Sequence, residues 1–444
     1  MASDEWRQST LGDIAQAEYG LVDGPFGSNL PASEYVSSGI PVIRGSNLSL
    51  DGPRFKEDAF VYVSEAFAQG LARSLCVPGD IIFTKKGTLG QTGIIPASSR
   101  FDKFLLSSNQ MKLSVDPNKA DPLFVYYFVS SPVSQEKIIQ DSTVTGVPKT
   151  NLAYLRDFPI LVPPLQEQKA IARIVGTLDD KIELNRKMNE TLEAMARALF
   201  KSWFVDFDPV RAKAEGRDPG RPAPIAALFP DSFEDSELGE IPKGWKIKPI
   251  GELATVQGGS TPSTKELSYW EGGTHYWVTP KDLSGLSNPV LLGSERKVTD
   301  AGLTQISSGL LPAGTVLLSS RAPIGYLVVA EVPVAINQGF IAMQPVEGVS
   351  NLFLLLWAEV AHETILSRAN GSTFLEISKS SFRPIPVVAP SPAVMVAFDC
   401  AVRPTYSRIV VNERESRTLR ETRDALLPKL ISGELRVSEA AGLT

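Results

Sequence analysis

Cysteine and histidine are scarce in this sequence, and their scarcity limits the chemistry that the chain can perform. Its 444 residues include two cysteines and two histidines. Cys76 and Cys400 are too few for a disulfide framework or a zinc site, and we expect both to be buried as small apolar side chains. His275 and His362 are isolated from each other and from both cysteines, so each is predicted to have a structural or surface role. No metal site is predicted.

Motifs for nucleotide binding, cofactor binding and membrane insertion are missing as well. No apolar run reaches the length of a membrane span, and the first ten residues, MASDEWRQST, lack the basic and apolar regions of a signal peptide. The segment GTLGQTG, which begins at Gly87, lacks the lysine of a phosphate-binding loop. Neither the Asn/Asp-Pro-Pro-Tyr/Phe motif of an amino-methyltransferase nor a glycine-rich cofactor loop occurs. We therefore expect a cytoplasmic chain that is not itself an enzyme and binds no cofactor of its own.

The overall charge is acidic, with a formal net charge of −6. This balance argues against nonspecific binding of a polyanion by the whole surface, and it leaves room for local basic clefts. The hydrophobic fraction of 43% indicates a folded chain, with room for about three domain-sized units at this length.

A long helix is predicted over residues 163–204. Pro163 and Pro164 end the preceding segment, because proline disfavours helix at its own position and at the residue before it. Beyond them apolar residues recur in steps of three and four, and no further proline occurs until Pro209. At about 1.5 Å per residue, such a helix is roughly 57 Å long. Its narrow apolar seam favours a single partner helix over a broad core.

A second long helix, over residues 391–435, repeats the first and is its predicted partner. The two segments align without a gap, and the aligned pairs share a residue type: Ile182 with Ile409, Asn185 with Asn412, and Leu192 with Leu419. We therefore expect an antiparallel coiled-coil pair related by a pseudo-two-fold axis. Pro404 has no counterpart in the first helix, so the second helix is either kinked there or begins there.

The segments before the two helices also repeat, as two similar α/β domains over residues 1–162 and 241–390. The repeat is carried by motifs in the same order: Gly79–Thr84 with Gly314–Ser319, and Asn109-Gln110 with Asn337-Gln338. The spacing between matched motifs shrinks along the chain, which indicates small insertions and deletions in loops. Residues 205–240 are rich in proline and charge and are predicted to be a surface linker, and residues 436–444 a frayed tail.

The order of these segments resembles the specificity subunit of a type I restriction–modification system. The resemblance rests on PPLQEQKAIARIV at the start of the first helix, ARALFKSWFVDFDPVRAKAEGR at its end, LGEIPKGWKIKPIGEL before the second domain, and ALLPKLISGEL at the end of the second helix. It covers essentially the whole chain.

This resemblance implies a function and a set of partners. Each of the two domains would recognise one half of a bipartite, asymmetric site in double-stranded DNA. The helix pair would set the spacer and dock two methyltransferase subunits, which would bind S-adenosylmethionine and carry the chemistry. Motor-nuclease subunits would complete the restriction complex. The second helix has Pro392-Ala393-Val394-Met395 where the first has Leu165-Gln166-Glu167-Gln168, which leaves open whether the two docking sites are equivalent.

Candidate DNA contacts are polar residues on loops that end or begin buried strands. Cations and hydroxyls there can clamp phosphates or reach guanine, and amides can pair with adenine edges. The candidates are Lys85, Lys86, Asn109, Gln110 and Lys149 in the first domain, and Lys281, Arg321, Asn337 and Gln338 in the second. For each of them, an ordinary solvated turn or a loop-stabilising hydrogen bond is the competing interpretation.

Candidate register and partner positions lie on the two helices. Asn185 and Asn412 interrupt the apolar seam at aligned positions, and in an antiparallel pair they should meet near its centre, where buried asparagine fixes register at a cost in stability. The alternative is that both face solvent. The further candidates for partner contact are Gln166, Gln168, Leu192 and Leu419.

Two other functions remain open at this point. A degenerate nuclease or methyltransferase would bind S-adenosylmethionine as an isolated chain. A purely structural adaptor would show no selective DNA binding even with its partners present. Two duplicated domains with diverged surfaces favour recognition of two different half-sites over a purely structural adaptor.

Overall fold

The computed structural model describes residues 6–50, 52–142, 148–371 and 375–437. The chain divides into two compact units, residues 1–183 with 417–444 and residues 184–416. Most of the predicted frayed tail, from residue 438 onward, lies outside the described residues. Two polar segments that precede the last strand of each domain, GVPKTN at 146–151 and NGSTF at 370–374, are further candidate DNA loops, and their residues 146–147 and 372–374 also lie outside the described ranges.

The first repeat is built from short strands and short helices that precede a long one. Its strands are β1 (Arg7–Thr10), β2 (Leu21–Asp23), β3 (Tyr35–Val36), β4 (Ile40–Ile43), β5 (Val61–Val63), β6 (Leu75–Cys76), β7 (Ile81–Thr84), β8 (Thr92–Ile94), β9 (Phe104–Leu106), β10 (Gln110–Leu113) and β11 (Pro159–Val162). Its helices are α1 (Leu11–Ile14), α2 (Glu65–Gly70), α3 (Pro122–Val129), α4 (Pro132–Gln140) and α5 (Leu152–Asp157), followed by α6 (Leu165–Phe204).

One antiparallel sheet and one mixed sheet form the body of the first unit. One has the order β2-β10-β7-β8 and the other β3-β5-β4-β9-β6, while β1 pairs with β11 as a separate ribbon. Every side chain of β7 and β10 is buried, including the polar Gln110 and Lys112 of β10. The ammonium of Lys112 is held by the carbonyl of Leu75 at 2.8 Å and the carboxylate of Asp80 at 3.4 Å. Helix α3 covers this sheet, and it starts where Asp121 caps it through a 2.9 Å hydrogen bond from Phe124 N.

The segment between the repeats contains α7 (Asp208–Ala214), α8 (Ala223–Ala226), β12 (Phe233–Ser236) and β13 (Gly239–Pro242). Val210 and Phe229 from this segment are buried in the apolar core of the second unit, where the ring of Phe229 packs edge-on against Trp203. The proline and charge content predicted a plain surface linker. The apolar residues between the charged ones instead anchor it to the core.

The second repeat contains the same kinds of element, and their order matches that of the first repeat at its start and from β7 onward. Its strands are β14 (Lys246–Pro249), β15 (Ala254–Gln257), β16 (His275–Val278), β17 (Val290–Leu291), β18 (Arg296–Val298), β19 (Val316–Ser320), β20 (Ile324–Ala330), β21 (Val334–Ile336), β22 (Phe340–Pro345) and β23 (Pro386–Ala389). Its helices are α9 (Ile250–Leu253), α10 (Pro280–Leu283), α11 (Asp300–Leu303), α12 (Asn351–Val360), α13 (His362–Ser367) and α14 (Lys379–Phe382), followed by α15 (Pro392–Ser432).

The sheet topology confirms the predicted duplication. In the first repeat β10 lies between β2 and β7, and β4 pairs in parallel with β9. In the second, β22 lies between β15 and β19, and β16 pairs in parallel with β21. The fold class is therefore two similar α/β domains, each followed by a long helix.

The pairing registers correct one detail of the sequence alignment. Gln110 pairs with Thr84, whereas Ser319, the equivalent of Thr84, pairs with Phe340. The structural equivalent of Gln110 is therefore Phe340, and the matched Asn-Gln dipeptides are two residues out of register. The shared dipeptide misled the alignment because strand equivalence is set by hydrogen-bond partners rather than by residue identity.

The long helices lie antiparallel within each unit. In the first unit, half-buried Asp179 of α6 accepts hydrogen bonds from Tyr127 Oη at 2.8 Å and from Arg423 Nη1 of α15 at 2.9 Å. Burial raises the pKa of Tyr127, so its hydroxyl stays a donor to this carboxylate. In the second unit, the rings of Phe200 and Phe398 lie 5.9 Å apart.

Helix α15 is continuous from Pro392 through Pro404 to Ser432. Of the two alternatives for Pro404, a helix that begins there is therefore wrong. Pro392 occupies the start of the helix, where the missing N–H has no intrahelical acceptor and proline is tolerated.

The exposure of the two cysteines tests the prediction that both are buried. Cys76 is buried, and burial raises the pKa of its thiol. Cys400 is exposed, so the prediction that both are buried was wrong for this residue. It lies on the outer face of α15, which sequence alone does not distinguish from the inner face.

In the part of the chain that the structure describes, no helix has both the length and the apolar character needed to cross a membrane.

Candidate nucleic-acid interface

Three strand ends and a later loop meet at one edge of the first domain. The N–H of Lys85, just after β7, donates to the carbonyl oxygen of Asn109 at 2.7 Å. Lys86 and Lys149 form a two-residue antiparallel bridge, which the N–H of Thr150 extends by donating to the carbonyl of Lys85 at 2.9 Å. The backbone thus brings together four predicted residues from distant parts of the chain. We call Lys85, Lys86, Asn109 and Lys149 the first polar edge.

The charge on the first polar edge is unevenly compensated. Lys85 Nζ lies 3.1 Å from the carboxylate of Asp23, at the end of β2, so its charge is partly neutralised. Lys86 and Lys149 are both exposed, and they carry like charge on directly bridged backbone. Two adjacent exposed lysines on a rigid strand end suit a polyanion, because they otherwise repel each other.

Gln110 does not belong to this exposed group. It starts β10, is 2% exposed, and accepts a hydrogen bond from Ser107 Oγ. The prediction that Gln110 presents its amide to a base edge is therefore wrong for this structure.

The second domain builds an equivalent edge from different side chains. The N–H of Ser320 donates to the carbonyl of Gly339 at 2.8 Å, and Arg321 bridges Glu376 as Lys86 bridges Lys149. Here the bridge joins opposite charges, with Arg321 Nη1 3.7 Å from Glu376 Oε2. The backbone is conserved between the two edges, while the charge pattern on it is not.

The other predicted residues of the second domain lie close to this bridge. Lys281 follows β16 with an 83% exposed side chain, and its Nζ lies 3.3 Å from Glu295. Asn337 accepts from the N–H of Gly339 at 2.8 Å, a bond that holds its own turn. Gln338 is exposed and accepts from Thr261 Oγ1 at 2.7 Å. We call Lys281, Arg321, Asn337 and Gln338 the second polar edge.

Sequence analysis missed a cation that the structure places beside the second polar edge. The guanidinium of Arg296 lies 3.7 Å from the ring centroid of Trp270 and 5.1 Å from that of Trp277. Trp277 Nε1 donates to the carbonyl oxygen of Ser260 at 3.3 Å. The next residue, Thr261, donates to Gln338 of the second polar edge. Stacking holds a guanidinium in a fixed plane, the geometry that favours bidentate contact with phosphate or guanine. The paired tryptophans in YWEGGTHYW were the available signal.

The asparagines of the helix seam are both completely buried. Asn185 Nδ2 donates to Ser416 Oγ at 3.2 Å, to Glu415 Oε2 at 2.8 Å and to the carbonyl of Asn412 at 3.3 Å. Asn412 Nδ2 in turn donates to Asn189 Oδ1 at 2.8 Å. Because Asn189 and Ser416 hold aligned positions on the two helices, the two sets of contacts are related as a pseudo-two-fold axis requires.

The remaining predicted helix residues differ in exposure. Gln166 is exposed, and Leu192 and Leu419 are half-buried. Gln168 is 1% exposed, with its amide donating to the carbonyl of Pro163 at 2.7 Å and accepting from Asp121 N at 2.8 Å. Its side chain therefore joins the start of α6 to the start of α3, and the prediction that it faces a partner subunit is corrected.

Ligands for a metal ion are not assembled by this fold in the ranges described. No cluster of three or more histidine, cysteine, aspartate or glutamate side chains there has the arrangement of a metal site. His275 instead pairs with Asp300 at 2.7 Å.

Comparison with known proteins gives consistent matches. A family model described as the type I restriction modification DNA specificity domain matches residues 3–194 and again residues 242–393. The type I restriction enzyme HindI specificity subunit of Haemophilus influenzae is 25% identical over 486 aligned positions, which cover 97% of this chain and 100% of the relative. The MjaIX specificity subunit of Methanocaldococcus jannaschii is 40% identical over 162 residues, which cover 36% of this chain and 37% of that one.

A solved structure supports the fold. The crystal structure of a type I restriction–modification S subunit from M. genitalium superposes with a TM-score of 0.58, covering 96% of each chain at 15% identity. At that identity the similarity establishes the arrangement of elements and leaves the residues of the site to be argued from this chain.

Proposed function

This chain belongs to the type I restriction–modification specificity family and is a DNA sequence-recognition subunit, and we propose that its two domains recognise different halves of one bipartite site. The observation that carries this proposal is the pair of polar edges. The same backbone bridge holds Lys86 with Lys149 in one domain and Arg321 with Glu376 in the other. Two domains that share this backbone arrangement but present different side chains are suited to recognise two different DNA sequences.

The two edges suit different tasks at the DNA. The first polar edge carries two exposed lysines, Lys86 and Lys149, and is assigned mainly phosphate contacts, which position the domain. The second polar edge presents Arg321 and Gln338, and the stacked Arg296 lies beside it. The planar guanidinium groups of the two arginines and the amide of Gln338 can distinguish base edges in the major groove. Removal of a second-edge residue is therefore expected to relax sequence preference, and removal of a first-edge lysine to weaken binding for all sequences.

The helix pair is proposed to set the spacer and to dock the methyltransferase subunits. Two readers on one face of B-DNA require half-site centres about 34–36 Å apart, or a multiple of that distance. α6 and α15, of 40 and 41 residues, are long enough to maintain such a separation. Exposed Gln166 and half-buried Leu192 and Leu419 are the proposed contacts with partner helices.

Catalysis is assigned to partner subunits. We propose that two methyltransferase subunits bind S-adenosylmethionine, that motor-nuclease subunits complete the restriction complex, and that this chain binds no cofactor and works in the cytoplasm. The polar edges contain no side chain whose environment singles it out as a nucleophile or general base. Failure of the isolated chain to bind S-adenosylmethionine would separate this proposal from a degenerate methyltransferase.

Methylation mapping tests the proposed function. Genomic DNA is sequenced for modified bases in cells that carry this chain with its cognate methyltransferase, and in cells that lack only this chain. A bipartite, asymmetric motif that depends on the chain is the expected result. Methylation that does not change when the chain is removed, together with no selective DNA binding by the purified complex, would overturn the proposal.

Domain-specific variants then divide the motif between the two edges. Arg296→Ala is expected to relax only the half-site recognised by the second domain, because Arg296 lies in that repeat. Arg100→Ala, which removes an exposed arginine stacked on Phe101 of the first domain, is the matched control. Relaxation of both half-sites by Arg296→Ala would contradict the assignment of one half-site to each domain.

A further inference from the structure

Most of the positive charge at the second polar edge is balanced by carboxylates. Arg321 lies 3.7 Å from Glu376, and Lys281 lies 3.3 Å from Glu295, so these two pairs together carry no net charge. The stacked Arg296 is then the unbalanced cation identified beside this edge. A surface that binds DNA requires an excess of cations, because much of the affinity comes from neutralising phosphates.

Lys379 lies at the same edge, although it is not among the candidates predicted from the sequence. A Cβ atom placed on Gly258 would lie 2.7 Å from Lys379 Nζ and 3.3 Å from Lys379 Cδ, so this side chain runs against the backbone just after β15. The same point lies 3.3 Å from the carbonyl oxygen of Phe340, which pairs with Ser319 near the end of β19. The ammonium group is therefore held beside the strand end that Arg321 follows.

The backbone that carries Lys379 is fixed on both sides of the bridge and the helix start. The N–H of Ile377 donates to the carbonyl of Ser320 at 3.1 Å, which attaches this segment to the second polar edge. Ser378 Oγ then accepts from the N–H of Ser381 at 3.1 Å and caps α14. Because the backbone is held at both points, the ammonium group of Lys379 can adjust to a ligand by side-chain rotation alone.

The charge of Lys379 is not balanced within the described residues. Its side chain is exposed, and no described residue forms an ion pair or hydrogen bond with its ammonium group. Glu376, the nearest acidic residue in sequence, is already paired with Arg321. A solvated lysine on an ordinary turn is exposed in the same way. Lys379 differs from it because its ammonium group lies at the edge assigned to DNA.

The equivalent position of the first domain carries no charge. In both domains a polar residue caps the short helix that follows the backbone bridge, Asn151 in the first and Ser378 in the second. The next residue is Leu152 in the first domain and Lys379 in the second. The first domain thus has its exposed cations on the bridge itself. The second domain, whose bridge is an ion pair, has an unbalanced cation three residues beyond it.

We propose that Lys379 contacts a DNA phosphate at the half-site recognised by the second domain. This inference rests on the proposed assignment of one half-site to each domain, and it adds a phosphate contact to an edge otherwise assigned to base recognition. A lysine ammonium group is a point charge without the planar fork of a guanidinium, so it suits a phosphate better than a base edge. Lys379 therefore contributes affinity and leaves sequence preference to Arg321 and Gln338.

A double-mutant cycle between protein and DNA tests the inference. The purified complex of the chain with its methyltransferase is titrated with a duplex that carries the mapped methylation motif. Matched duplexes carry a neutral methylphosphonate in place of one phosphate at a time, across the half-site that Arg296→Ala relaxes. One such replacement should weaken wild-type binding by about fivefold at about 0.15 M salt, the effect of one phosphate contact. It should leave binding by Lys379→Ala unchanged, because that contact is already lost.

The salt dependence of binding gives an independent readout. Lys379→Ala should make the slope of log K against log salt concentration shallower by about 0.9, and it should leave the methylated motif unchanged. Lys379→Arg keeps the charge and should retain the wild-type slope. Lys243→Ala is the matched control, since it removes an exposed lysine between β13 and β14 whose N–H donates to the carbonyl of Ser232 rather than to the edge. It should bind every duplex like the wild type.

The outcomes separate this inference from the proposed function. Selective binding by the wild type, together with an unchanged slope and an unchanged methylphosphonate pattern in Lys379→Ala, would overturn the inference and leave the proposed function standing. An equal loss at Lys379→Ala and Lys379→Arg, with altered circular dichroism, would also overturn it, because a structural role would then explain the effect. Absence of selective binding by the wild-type complex would overturn the proposed function and this inference with it.

Discussion

Replacement of both seam asparagines by leucine should stabilise the helix pair and weaken its register. Asn185 and Asn412 are fully buried, and the Oδ1 atom of each receives no hydrogen bond within the described residues. The double variant Asn185→Leu, Asn412→Leu removes both unsatisfied oxygens, each worth about 1–3 kcal/mol, and buries two leucines, each worth about 1.5–3 kcal/mol.

The losses are somewhat smaller than these gains. The two hydrogens of Asn185 Nδ2 are shared among three acceptors, so the variant loses three donated hydrogen bonds in all: one to the Glu415 carboxylate at about 1.5–3 kcal/mol and two to neutral acceptors at about 0.5–1.5 kcal/mol each. It also deprives Asn189 Oδ1 of its donor at about 1–3 kcal/mol. At the middle of each range the free energy of unfolding rises by about 2–3 kcal/mol. The polar junction therefore costs stability, and its physical benefit is that only one register pairs its donors with acceptors.

The assay has one readout for stability and one for register. Guanidinium unfolding of the full chain, followed by circular dichroism at 222 nm, should show the helical transition at higher denaturant. Methylation mapping with the variant should show more than one spacer length. Thr177→Leu, a polar-to-leucine change at an exposed position of the same helix, is the matched control and should alter neither readout, because the Thr177 hydroxyl bonds only the carbonyl of Arg173 in its own helix. A double variant that is less stable than wild type, or one with greater stability and an unchanged single spacer, would refute the reasoning.

Three further predictions address the DNA edges, the buried glutamate and the helix length. The double variant Lys86→Ala, Lys149→Ala should make the slope of log K for DNA binding against log salt concentration shallower by about 1.8, since each lost phosphate contact removes about 0.9. Titration of the purified complex at several salt concentrations measures this slope. An unchanged slope would mean that neither lysine contacts the DNA. Because burial raises the pKa of Glu193 to about 7, folded protein binds its proton more tightly than unfolded protein, so this residue lowers stability as pH rises from about 4.5 to 7. Glu193→Gln should therefore gain stability relative to wild type over that range, by about 1–3 kcal/mol after allowance for partial solvation, whereas Glu363→Gln, the same change at an exposed residue of α13, should not. Insertion of one heptad into each long helix should change the spacer in the methylated motif and leave both half-sites unaltered, and altered half-sites with a constant spacer would contradict the ruler model.

The two polar edges show where prediction from residue type succeeded and where it stopped. Loops that follow buried strands are recognisable in sequence, and Lys86 and Arg321 are exposed or half-exposed on such loops. Their partners across the backbone bridge, Lys149 and Glu376, come from a distant segment. Only the folded chain shows that the first pair joins like charges and the second pair opposite charges.

Burial is the property that sequence analysis misjudged most often. Gln110 and Gln168 are polar residues beside exposed neighbours in sequence, and both prove to be enclosed. Each has its amide satisfied inside the fold, by Ser107 for Gln110 and by backbone groups for Gln168. A sequence does not distinguish a buried, hydrogen-bonded glutamine from an exposed one that could contact DNA, because the hydrogen-bond partners of a buried glutamine are brought to it only by tertiary contacts.

The sequence by itself determined the duplication, the two long helices and the aligned asparagines. Each of these depends on a periodic pattern or on similarity between segments, and such patterns are carried by the chain whatever its tertiary contacts. The tertiary structure alone decided the strand register that equates Gln110 with Phe340, the stacking of Arg296 on two tryptophans, and the position of Lys379 against Gly258. These features arise from pairings between residues far apart in sequence, and the free energy that selects such pairings comes from packing and hydrogen bonds that no local pattern specifies.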